Sequence, residues 1–77
     1  MNKQRRKAIE EIIEQLGILK DELDTIAEEE QEAYDNLPEG IQDSERGEAM
    51  NEAADDLYQA QSDLDDIIST LQDIIER

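Results

Sequence analysis

Apolar residues recur along the chain at alternating steps of three and four. From the N-terminal side the series is Ile9, Ile12, Leu16, Leu19, Leu23, Ile26, Glu30, Ala33 and Leu37. That is a heptad a/d register, and it predicts one long helix over about residues 3–36. Ile13, Ala27 and Tyr34 widen the stripe at position e. The second half repeats the design, with Met50, Leu57, Leu64 and Leu71 at a, Ala53, Ala60, Ile67 and Ile74 at d, and Ala54, Ile68 and Ile75 at e. It predicts a second helix over about 45–76. No alternating period-two run suggests a strand.

Between the two patterns lies Leu-Pro-Glu-Gly-Ile-Gln-Asp-Ser, residues 37–44. Pro38 has no amide hydrogen and pushes the residue before it out of the helical region, so helix 1 is expected to stop near Asn36 or Leu37. Gly40 is expected to take a positive φ in a tight reversal. Ser44, with Asp43 as the competing candidate, is an N-cap for helix 2, and Glu45 and Glu48 put negative charge in its first turn. Ile41, the one apolar residue inside this connection, is expected to fold in and plug the end of the helix pair. An EF-hand frame over Asp35, Gly40 and Asp43 fails, because its third and twelfth positions are Leu37 and Arg46.

Folding about residue 40 sets Leu23 near Leu57, Leu16 near Leu64, Ile12 near Ile68 and Ile9 near Leu71. Both halves agree on one antiparallel hairpin, all-α and coiled-coil-like, forming a single domain. The core is uneven: Ile9, Ile12, Ile13, Ile67, Ile68, Leu71, Ile74 and Ile75 crowd the open end, and Ala27, Ala33, Ala53 and Ala54 line the loop end. A lone hairpin would leave much of that isoleucine in water. Two hairpins packed as a four-helix bundle would cover it, so a homodimer is expected, with Ile9, Ile12, Ile13, Leu16, Leu64, Ile67, Ile68, Leu71 and Ile75 as its core and contact residues. Glu30, at an a position, either meets Arg46 across the hairpin or reaches solvent past the alanines.

Composition limits the chemistry. The chain has 77 residues, 23 acidic against 7 basic, a net charge of −16, and neither cysteine nor histidine. Disulfides, thiolate metal sites and the commonest general base are excluded. Carboxylate pairs abound, but without apolar walls nothing would set one pKa above another, so no enzyme activity, cofactor or specific metal site is expected. No apolar run reaches membrane-spanning length, and the basic start MNKQRRK lacks the apolar core of a signal peptide, which points to a cytoplasmic protein. Lys3, Arg5, Arg6 and Lys7 oppose the helix dipole, and Asp73 and Glu76 on helix 2 are their expected partners.

The acids concentrate on outward positions. Glu14, Asp21, Glu28 and Asp35 form a line with carboxylates about 10 Å apart. Glu22 and Glu29 run beside it, and Asp55, Asp56, Asp63 and Asp66 extend the acidic surface on helix 2. On a hairpin about 50 Å long the anionic part carries roughly one charge per 2.4 Å, between duplex DNA and a single strand. Such a rod can imitate a nucleic-acid backbone towards a basic groove, without touching nucleic acid itself. The other reading is an acidic coiled coil whose charge serves solubility. The scarcity of lysine at i, i+4 from glutamate favours mimicry.

The segment Gln31–Met50, QEAYDNLPEGIQDSERGEAM, with the basic start MNKQRRK and a C-terminal half rich in Asp, Leu and Ile, resembles a group of short acidic helical proteins encoded by phages and prophages of Gram-positive bacteria. The group is mostly without assigned function, so the resemblance implies a setting, the cytoplasm of a bacterial host, and no site residues. Phage origin would suit a small protein that occupies a basic host or phage protein, including DNA-mimic inhibitors of defence systems. The alternative from another class is a structural or assembly protein whose apolar faces pack against partner helices.

Overall fold

The computed structural model describes residues 1–77. It is all-helical, with three elements: α1 (Lys3–Asp35), α2 (Glu39–Gln42) and α3 (Glu45–Ile75). The two long helices lie side by side. Residues 36–44 alone join them, so α3 returns antiparallel to α1. The body measures 58 × 15 × 13 Å, and its radius of gyration is 17.4 Å, against about 11.5 Å for a compact domain of this length. It is a rod.

Each long helix starts on a polar cap. The Asn2 side chain accepts from the Arg5 amide at 2.8 Å, a role the sequence reading passed over although Asn is among the favoured caps. Ser44 caps α3, its hydroxyl accepting from the Gly47 amide at 3.3 Å and donating to the Ile41 carbonyl. Asp43, the competing candidate, closes α2 instead.

The connection departs from expectation in two ways. It contains a full helical turn, α2, flanked by extended residues at Pro38 (ψ 146°) and Ser44 (ψ 168°). The reversal is thus divided between two bends, and no glycine has positive φ, Gly40 included. Ile41 points outward and is 42 % exposed. The neighbouring Gln42 takes its place: its side-chain amide donates to the carbonyls of Tyr34 (3.2 Å) and Asp35 (3.4 Å). Those oxygens lie at the end of α1, where helical partners run out. The Tyr34 carbonyl also accepts from the Leu37 amide at 3.0 Å, but that of Asp35 has only the Gln42 side chain, so a buried isoleucine would have left Asp35 open and a polar plug serves this end better.

The seam between α1 and α3 also differs. On α1 the a and e positions that are half-buried or buried are Ile9, Ile13, Leu16, Lys20, Leu23, Ala27, Glu30 and Tyr34, followed by Leu37 just past its end; Arg6 at e and Gly17, Asp24 and Gln31 at b are also half-buried. On α3 the matching a and e set is Gly47, Met50, Ala54, Leu57, Gln61, Leu64, Ile68, Leu71 and Ile75, with Asn51 at b and Ile74 at d also half-buried. The steps again alternate three and four, but they join column a to column e rather than a to d. A stripe three columns wide cannot be covered by one partner helix, which reaches two. Gly47 decides which two on α3. It belongs to column e, and a Cβ there would collide with the backbone carbonyls of Ile41 and Gln42. The α2 backbone therefore rests on column e, rotating that column inward and Arg46 of column d outward. On α1, Gln42 draws in the Tyr34 end of the same column.

The d positions are consequently off the seam. Ile12 (47 %), Leu19 (50 %), Ile26 (49 %) and Ile67 (50 %) are exposed, as are Ala33, Ala53 and Ala60; Ile74 is half-buried. Of the nine residues expected in the core or dimer contact, Ile9, Ile13, Leu16, Leu64, Ile68, Leu71 and Ile75 line the hairpin's own seam, and Ile12 and Ile67 do not. The core is thin. Only Ala27, Gly47 and Ala54 are buried, and both alanines are fully enclosed. The accessible surface is 5760 Å², about 1,000 Å² above the value for a compact monomer of 8.8 kDa.

Candidate functional site: the acidic surface

With a and e inward, the remaining columns distribute by geometry. Successive residues turn about 100°, and antiparallel helices are mirror-arranged about their seam. Columns b and f of both helices therefore fall on one broad face, and columns d and g on the other. Column f carries Glu14, Asp21, Glu28 and Asp35 on α1 and Glu48, Asp55 and Glu76 on α3, all exposed. Here the expected acidic line stands along the rod, its carboxylates one per seven residues, about 10 Å apart.

The other expected acids do not join that line. Glu22 and Glu29 on α1, with Asp56 and Asp63 on α3, occupy column g and edge the opposite face. Asp66 sits at column c, pointing away from the seam. The ten residues thus wrap the rod rather than forming one patch. Among all the acids only Asp24 and Glu30 are even half-buried, so nearly every carboxylate is hydrated and repels its neighbours.

Compensation within the chain is sparse. There is one ion pair, Lys20 Nζ to Asp65 Oδ1 at 2.6 Å, linking α1 to α3. Lys20 occupies a seam position, where its aliphatic stem covers apolar surface and its ammonium reaches the edge. The hydrogen bond to Asp65, reinforced by the charges of Asp65, Asp21 and Asp24, raises its pKa above the ordinary lysine value against the opposing effect of desolvation. Sequence reading missed this residue because a lysine at an e position looks like a solvated flank. Two glutamines supply further local support, Gln31 donating to Asp35 at 3.1 Å and Gln59 to Asp63 at 3.0 Å. These are i, i+4 contacts of the kind that stabilise helices by a few tenths of a kcal/mol.

One expected pairing is absent, and one that the sequence left open is not made. The basic N-terminal cluster makes no ion pair with Asp73 or Glu76, and Glu30 makes none with Arg46. Arg46 is exposed while Glu30 is half-buried in the seam, since the rotation that brings Gly47 inward carries Arg46 away. At the opposite tip Lys3, Arg6, Lys7 and Glu10 surround an open cleft, and the Arg6 Nε is buried without a hydrogen-bond partner.

Over the whole chain, −16 charges along 58 Å is one net charge per about 3.6 Å. A single nucleic-acid strand carries one per about 3.4 Å. No three carboxylates converge closely enough to chelate a metal ion, and no helix is long and apolar enough to cross a membrane. No family model matches the chain, and no curated protein or solved structure matches it either.

Proposed function

We propose that this chain is an acidic interaction module, a helical rod that occupies the basic nucleic-acid-binding groove of another protein. The observation that carries the reading is the contrast between 23 acidic residues and a single ion pair. The carboxylates are held on rigid helices, exposed and uncompensated, at the linear density of a nucleic-acid strand. In a homodimer of two parallel rods the density doubles to one charge per about 1.8 Å, close to the 1.7 Å of duplex DNA. A small acidic decoy of this kind fits a phage-encoded inhibitor of a host defence or nucleic-acid-binding protein, the setting that the Gln31–Met50 resemblance implies. No catalytic step is assigned to it.

The test is to replace Glu14, Asp21, Glu28 and Asp35 together by Gln or Asn. Far-UV circular dichroism should show the helices intact, with thermal stability equal or slightly higher, most clearly at low salt where repulsion is least screened. Affinity for a salt-labile partner recovered from bacterial lysate should fall, chiefly through slower association. If the quadruple variant binds that partner at low salt as tightly as wild type, the acidic line is a solvated surface and the decoy reading fails. Recovery only of salt-resistant, helical partners would favour the assembly reading, which the exposed Leu19 and Ile26 side chains support.

A further inference from the structure

The columns that the seam leaves out have a composition unlike the rest of the surface. Down α1, column d reads Arg5, Ile12, Leu19, Ile26 and Ala33. Down α3 it reads Arg46, Ala53, Ala60, Ile67 and Ile74. Nearly a third of the chain is acidic, 23 of 77 residues, yet neither column contains one acid, and each begins with an arginine. The antiparallel geometry puts both columns on the same face, opposite the line of Glu14 and Asp21. The hairpin therefore has one face that carries the acidic line and one whose central columns are apolar, with an arginine at each end and Glu22, Glu29, Asp56 and Asp63 along its edges.

We propose that a second copy of the chain docks on this apolar face, head to tail, making a four-helix bundle. The proposal adds to the function above the surface through which a doubled rod forms.

Four observations fit a second copy. The first is symmetry. Leu19 is the middle residue of α1 (Lys3–Asp35), and Ala60 is the middle residue of α3 (Glu45–Ile75). A two-fold axis across the rod at mid-length sets Leu19 on Leu19 of the second copy and Ala60 on Ala60. Ile12 then meets Ile26 of the second copy, so the same patch serves both chains, as an isologous contact requires.

The second is charge. Head-to-tail docking lays Arg5 beside the C-terminal end of the other α1, where Glu29 edges the same face, and Arg46 beside the end of the other α3, near Asp73. Arginine next to acids at a helix C-terminus is doubly favourable. The alternative, with both N-termini at one end, would crowd two copies of Lys3, Arg5, Arg6 and Lys7 together.

The third is size. The face runs along a rod 58 Å long and 15 Å wide, so a second copy of the same dimensions can cover it from end to end. The fourth is what the hairpin lacks alone. Its fully enclosed side chains are two alanines, while Ile12, Leu19, Ile26 and Ile67 remain about half exposed. Docking would give this molecule the larger core that its seam does not supply.

The chain has no cysteine, so one introduced thiol reads the geometry directly. Leu19→Cys should form a covalent dimer under mild oxidation, and Ile18→Cys, on the outer side of α1, should not. Sedimentation equilibrium of wild type, with no target present, should give twice the chain mass. Leu19→Glu should reduce it to one chain mass while the far-UV spectrum stays helical, because Leu19 lies outside the hairpin's own seam. A wild-type monomer at moderate salt would overturn the proposal. So would a dimer that cross-links Leu19→Cys only to Ala60→Cys, which is the signature of chains docked with like ends together. Neither readout involves a basic partner, so dimer and decoy can fail separately.

Discussion

The three glycines should respond to alanine in three different ways. Gly17 lies in the interior of α1 with no atom within 4 Å of an added Cβ. Alanine there removes the helix penalty of glycine and should stabilise by about 1 kcal/mol, or about 4–8 °C in Tm for a domain of this size. Gly40 also faces open space and has no positive φ. Its alanine variant should gain about 0.4–1 kcal/mol, through a less flexible unfolded chain. Gly47 reverses the sign. Its Cβ would strike the Ile41 and Gln42 carbonyl oxygens, and these are backbone atoms that cannot swing aside like a side-chain tip. Overpacking costs about 1–3 kcal/mol, while the propensity gain in a first helical turn is below the full interior value. A net loss of about 1–2 kcal/mol follows, comparable to losing the Ser44 cap. Urea denaturation followed by far-UV circular dichroism measures all three variants at matched salt. A Gly47→Ala protein as stable as wild type would refute the α2–α3 contact, and with it the reason given for the rotation of α3.

Two further outcomes follow from the same contacts. Gln42→Ala leaves the Asp35 carbonyl without its donor and the Tyr34 carbonyl with the Leu37 amide alone; a loss of about 0.5–1.5 kcal/mol is expected, and Gln42→Leu should not restore it if the hydrogen bonds matter more than apolar filling. Lys20 has its pKa raised in the fold by Asp65, so its contribution is complete below the unfolded value of about 10.4 and is lost as pH rises through the higher folded value. Lys20→Met keeps the stem and removes the charge, so its alkaline loss of stability should be smaller than that of wild type; equal losses would mean the ion pair is inert.

The helices and their antiparallel pairing were legible because apolar spacing is redundant: eight apolar a and d positions on each side repeat one message, and the Pro38 region interrupts it once. Rotation about the helix axes was not legible. Columns d and e are both apolar over most of their length, and a sequence shows the width of a stripe but not which two columns a single neighbour covers. That choice is made at the connection, by Gly47 under the α2 backbone and Gln42 over the end of α1. Both are contacts between residues whose types, a helix-start glycine and a loop glutamine, have many ordinary explanations. The acidic line Glu14, Asp21, Glu28 and Asp35 was readable because f lies outward whether the seam is a/d or a/e. Column g was not, since the same rotation places Glu22 and Glu29 beside the apolar face instead of beside the line. The basic N-terminus was misread for a different reason. Pairing it with Asp73 and Glu76 assumed that nearby opposite charges meet, whereas exposed long side chains gain little by holding one geometry.

The two broad faces should answer to salt with opposite sign. Two chains of net charge −16 repel when they dock through apolar columns edged by Glu22, Glu29, Asp56 and Asp63. Raising ionic strength shortens the Debye length from about 30 Å at 0.01 M to about 8 Å at 0.15 M, weakening that repulsion while leaving apolar burial in place. Dimerisation and thermal stability should therefore both increase with salt across this range. Capture of a basic groove by the opposite face depends on long-range attraction, so its association rate should decrease across the same range. A monomer lacking an apolar contact would show the second trend and a rise in thermal stability, but no rise in mass. A solubilising coat of acid would show the first without the second. Only a chain that uses one face for itself and the other for a basic partner shows both, which makes a salt series by sedimentation and by association kinetics the most economical discrimination among the three.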